Sequence, residues 1–146
     1  MRAQYHFRRS PGGLLTWNVH RLVELSHDFE REWVDLSKIR ELDEPFWSDD
    51  GQGMTCRQVA DHARLIQDAD LTFPVILSCD GRVMDGMHRI CKAYLLGKDR
   101  IAAVRFRHDP EPDHIGVDPS DLPYPNCAEN PSVHGGDRER GQGSCP

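Results

Sequence analysis

Five consecutive residues, Asp85-Gly86-Met87-His88-Arg89, combine the side-chain types of an anion site with the right setting, an apolar stretch before them and a helical pattern after. A helix N-terminus exposes unpaired N–H groups and the positive end of the helix dipole, so a loop entering it suits an anion. Gly86 lets the backbone approach closely, while His88 and Arg89 place cations in the first turn. Those cations oppose the dipole, an inconsistency that a bound anion removes. From composition alone the plainer alternative is that Asp85 caps the helix and Arg89 pairs with a surface carboxylate. Asp43 and Glu44 lie in an acidic turn before Pro45, where such residues are ordinarily solvated. His88 is the one histidine singled out among eight, because no ligand spacing such as H-x-x-x-H occurs.

The elements that must hold these residues read as follows. Phe73-Pro74-Val75-Ile76-Leu77 is an apolar strand, Cys79-Asp80-Gly81-Arg82 a hairpin turn, and Val83-Met84 a short return strand. Met87, Ile90, Cys91, Ala93, Tyr94 and Leu95 have helical period, with Gly97 placed to end the helix, and a strand follows over residues 101–106. Thr55 and Gln58 form a capping box for a helix running to about Ala69, with Val59, Ala63 and Ile66 as its buried stripe. Trp33, Val34 and Leu36 predict a strand within residues 31–39. Thr16 is suited to cap a helix carrying Trp17, Val19, Leu22, Val23 and Leu25. Trp33, Phe46 and Trp47 read as core aromatics, and Cys56, Cys79 and Cys91 as small buried apolar residues.

At 146 residues the chain is the size of one ordinary domain. Residues 1–13, polar and ending in Pro-Gly-Gly, read as a flexible leader; residues 14–125 form the domain; residues 126–146, in a region rich in proline and glycine, read as a disordered tail. The net charge of −6 speaks against non-specific binding to nucleic acid. The acidic excess is concentrated late, since residues 107–146 hold three Arg against eight Asp or Glu and leave the rest nearly neutral. Five cysteines without a C-x-x-C pair fit neither a disulfide framework nor a zinc knuckle, and point to a reducing cytoplasm. No apolar run is suited to a signal peptide or a bilayer span, so no membrane partner is expected.

From Pro74 to Gly97, the order apolar strand, Asp-Gly turn, Val-Met, Asp-Gly-Met-His-Arg and helix resembles the signature of the ParB/sulfiredoxin-like superfamily. With Trp33-Val34-Asp35-Leu36-Ser37-Lys38-Ile39 as the first strand and turn, the resemblance covers roughly residues 30–108. It implies an α+β fold, a small mixed sheet with packed helices, and phosphate binding from ATP, ADP or CTP by Gly86, Met87, His88 and Arg89. Sulfiredoxins carry a catalytic cysteine where this chain has Met87, so sulfinic acid reduction is not implied. The nearest pattern is that of the free-serine kinases, which read Asp-Gly-His-His-Arg. Counting as in those kinases puts the base at Asp43 or Glu44, Glu44 narrowly preferred, and lets Asp85 hold Mg²⁺ or orient the loop. The implied function is a small-molecule phosphotransferase or NTPase. The alternatives are a ParB-like regulatory or DNA-associated binding module without turnover, and a ParB-like nuclease, which the acidic balance disfavours.

Overall fold

The computed structural model describes residues 4–48 and 51–124. Its elements are β1 (Tyr5–Ser10), β2 (Gly13–Asn18), α1 (Val19–Ser26), β3 (Glu32–Asp35), α2 (Cys56–Asp68), β4 (Val75–Leu77), β5 (Val83–Asp85), α3 (Met87–Leu95), β6 (Arg100–Arg105) and β7 (His114–Ile115). Short 3-10 turns cover Leu36–Lys38, Arg40–Asp43 and Pro119–Asp121. The result is a small α+β domain with two sheets, one ordered β1-β2-β7 and one ordered β3-β6-β4-β5. In the second, β4 pairs parallel with β6 while β5 and β3 pair antiparallel with their neighbours, so the sheet is mixed.

Successive residues of β4, β5 and the middle of β6 point to opposite faces, and they are apolar in both directions because both faces of the sheet are covered. Val75, Leu77, Val83, Ile101 and Ala103 meet Met87, Ile90 and Ala93 of α3 together with Leu36 and Ile39. Ile76, Met84, Val104 and Phe106 face the other way, against Trp17 of β2 and Leu22 of α1. Helix α3 ends as its glycine predicts. Gly97 has φ +71, its N–H reaches the carbonyl of Tyr94, and the N–H of Lys98 reaches Ala93, the two bonds of a Schellman cap.

Several expectations change. Residues 5–10 are strand rather than leader, paired in register from Tyr5↔Asn18 to Ser10↔Gly13, which makes Pro11-Gly12 a two-residue hairpin turn instead of a break. Thr16 does not cap a helix; it lies fully buried in β2, and Asn18 caps α1 by accepting the N–H of His20 at 2.9 Å. The Trp17 side chain is thereby turned into the second core, its Nε1–H donating to the carbonyl of Pro110 at 2.8 Å. The third strand stops at Asp35, where the backbone turns into 3-10 structure. The capping box of α2 forms as expected, but the stripe is not buried: no α2 residue is, and Val59 is 53% exposed. Amphipathic spacing selects a face; it does not supply a layer to cover it. Cys56 and Cys79 are exposed and Cys91 half-buried, because they fall on the open side of α2, in the β4–β5 turn and at the flank of α3. Trp33 is exposed on β3 with Arg100 over its ring. The expected tail over residues 126–146 lies outside the described residues.

Candidate functional site

Strand β5 delivers Asp85 to the sheet edge, and the chain enters α3 through Gly86 at φ +104, ψ +21. Two physical reasons require glycine there. The left-handed conformation disfavours a side chain, and a Cβ would lie 2.7 Å from Val75 Cγ1 and 2.8 Å from Arg89 Nη2. The first helical bond is Ile90 N–H to the carbonyl of Gly86 at 3.0 Å, so the N–H groups of Met87, His88 and Arg89 have no acceptor within the helix. Asp85 does not cap α3; its carboxylate takes the Arg89 guanidinium at 2.7 Å, an i,i+4 pair with both side chains about four-fifths buried. Arg89 Nε is buried without a partner. Met87 contributes backbone to the turn and its side chain to the core.

The turn opens into a cleft of about 630 Å³, within the range of small-molecule sites. One wall is β5 and the start of α3, the second is the segment bearing Glu41, Glu44 and Trp47, and the third is β1, with His6, Arg8 and Arg9. The strand read as a leader is therefore a wall of the site. Glu44 lines the cleft in a two-pronged ion pair with Arg82, both contacts 2.8 Å, and this pairing holds its carboxyl below the ordinary range. Asp43 is exposed and does not line the cleft. Glu41, not singled out from the sequence, is the most buried carboxylate nearby: Oε1 accepts the Val83 N–H at 2.9 Å and faces Arg82 Nε at 3.2 Å, while Oε2 has no partner. Its place in an acidic run gave no sign of this. The 3-10 turn over Arg40–Asp43 brings Glu41 and Glu44, three residues apart, to the same Arg82 side and leaves Asp43 off it.

His88 is joined by a residue that spacing could not identify. His62 of α2 meets it, Nδ1 to Nε2, at 2.8 Å. Ring centroids 5.1 Å apart at so short a nitrogen contact mean that the two imidazoles lie edge to edge, 21° from coplanar. Trp47 roofs the pair, its ring 4.2 Å from His62 and 4.7 Å from His88, stacked on both. Burial first, then the neighbouring His62, lowers the pKa of His88; burial also lowers that of His62, against the charge of Asp61. On the facing wall, burial and then Arg8 push His6 down to about 4. Arg8 itself bridges to Asp109 at 3.1 Å, which ties β1 to the segment following β6.

Among the described residues, no three His, Cys, Asp or Glu side chains converge as a metal-binding group. Likewise no described helix is long and apolar enough to cross a membrane. No protein family, curated protein or solved structure matches the chain.

Proposed function

We propose that the protein is a nucleotide-binding member of the ParB/sulfiredoxin-like superfamily that uses ATP, ADP or CTP, as a small-molecule phosphotransferase or NTPase. The observation that carries this reading is the strand–Gly86–helix turn, with its unpaired N–H groups, opening on a cleft lined by His88 and the acidic wall of Glu41 and Glu44. Phosphoryl transfer chiefly demands positioning and charge neutralisation, with a carboxylate to accept the alcohol's proton. The N–H groups of residues 87–89 and His88 would hold the phosphates. Arg89 would stiffen the turn through Asp85 rather than act as a free clamp. Glu44 is the better placed of the two expected bases, since Asp43 is outside the cleft. With Asp85 committed to Arg89 and no metal-binding cluster described, Mg²⁺ would arrive on the nucleotide's own phosphates.

Thermal shift with ATP, ADP and CTP, each with Mg²⁺, tests binding; a rise that His88→Ala abolishes is expected, and no rise with any of them would remove the reading. Phosphate release with candidate alcohols, serine first, tests turnover. One observation favours the second reading, a binding module without turnover: Glu44 is held ionised by Arg82, and a carboxylate so paired is a weak base. Nucleotide binding with neither hydrolysis nor transfer, unchanged in Glu44→Gln, would select that module.

A further inference from the structure

We infer that His62, supplied by α2, is the second half of the phosphate site: the edge-to-edge His62–His88 pair, roofed by Trp47, takes up one proton when a nucleotide phosphate binds at the N-terminus of α3. This rests on the nucleotide reading above and adds to it a residue, a charge and a pH dependence. The geometry argues for it in three ways. The 2.8 Å contact fixes one proton between the rings, leaving the outer nitrogens, His62 Nε2 and His88 Nδ1, without a hydrogen-bond partner among the described residues. An imidazolium–imidazole pair keeps that contact and gains strength from the charge, whereas two imidazoliums in contact would repel. The indole lies over both rings, so a cation in the pair meets the negative face of an aromatic system.

The surrounding charges leave the balance close. Asp61 on α2 and Asp85 on β5 favour the cation, Arg89 on α3 opposes it, and Trp47 brings no formal charge. Across the cleft stand the Glu44–Arg82 pair, Glu41, and His6, Arg8 and Arg9 of β1, with Arg82 and Arg8 each matched to a carboxylate. In the free protein burial lowers the pKa of both imidazoles and so favours their neutral forms. A phosphate beside His88 adds negative charge on the unroofed side and tips the pair to its singly protonated form. Binding then tightens as pH falls from the bound pair's pKa to that of the free pair, and is insensitive to the pair outside that window.

Calorimetry of ADP binding in buffers of different ionisation enthalpy, across pH 5.5 to 8, reads this directly. Uptake approaching one proton is expected, with affinity rising by up to about tenfold for each pH unit within the window. His62→Gln keeps a hydrogen-bonding side chain without the titration; uptake should fall to the small amount due to the ADP phosphate itself. Trp47→Leu should lower the pKa of the bound pair, and imidazole NMR should show His62 and His88 shifting together on adding ADP. ADP binding without proton uptake, or with uptake unchanged in His62→Gln, overturns the inference and leaves the nucleotide reading standing. Absence of binding by ADP, ATP and CTP alike overturns both.

Discussion

Gly86, Glu41 and Glu44 are three residues whose substitution separates positioning from chemistry. Gly86→Ala should lose roughly 1–3 kcal/mol from the left-handed strain alone, before the contact with Val75 is relieved, and denaturant unfolding measures it. Glu41→Ala leaves the Val83 N–H buried and unbonded and Arg82 short of one partner, a loss of about 1–3 kcal/mol. Glu44→Gln should leave stability near that of the parent, because its pairing with Arg82 is solvent-exposed, while turnover falls if Glu44 is the base. Equal activity in parent and variant would transfer attention to Glu41, whose unpartnered oxygen is the other carboxylate atom on that wall.

Helices α2 and α3 share similar amphipathic patterns and opposite fates. α3 presses Met87, Ile90 and Ala93 onto the four-stranded sheet, whereas α2 has no fully buried residue and is held by its capping box, by the His62–His88 contact, and by Lys92 of α3 bonding the carbonyls of Gln67 and Ala69. Backbone amides of α2 should therefore exchange hydrogen much faster than those of α3. Thr55→Ala, which removes the cap to the Gln58 N–H, should cost about 1 kcal/mol of helix stability and accelerate that exchange further. Comparable protection in the two helices would contradict this ordering. The capping box was legible in the sequence because it is a contact between residues three apart. Which face of α2 finds a partner was not, since that depends on elements far along the chain.

Across the whole molecule, acidification should be destabilising through its buried histidines. His6 has its pKa pushed down to about 4, so between the ordinary histidine value and that point the unfolded chain binds a proton that the folded chain refuses. Stability from this source is complete above about pH 6.5 and is lost as pH falls towards 4, by an amount on the order of 3 kcal/mol. His62 and His88 add the same sign. Urea unfolding at pH 7.5 and 5 should show the fall, and His6→Gln should flatten it; a flat profile in the parent would mean that β1 is not closed onto the fold with His6 buried in solution. Such closure matters to function because β1 walls the cleft while joining the rest of the fold through β2, Arg8–Asp109 and the Tyr5 hydroxyl on the carbonyl of Pro123.

Local chemistry was decided within short windows, and the sequence by itself determined those parts: the Thr55–Gln58 cap, the apolar strand 75–77, the Asp80-Gly81 turn, and the glycines that open and close α3. Each depends on dihedral preference or on contacts three or four residues apart. Only the tertiary structure decided what long-range pairing controls. Polar β1 is a strand because β2 supplies its hydrogen bonds, so a composition-based reading as leader was bound to fail. His62, 26 residues before His88, reaches it because α2 lies alongside α3, and Glu41 rather than Asp43 turns inward because Val83 offers it an N–H. The loop Asp85-Gly86-Met87-His88-Arg89 was thus visible as a motif, while its second histidine, its roof and its third wall came from segments that sequence separation had hidden.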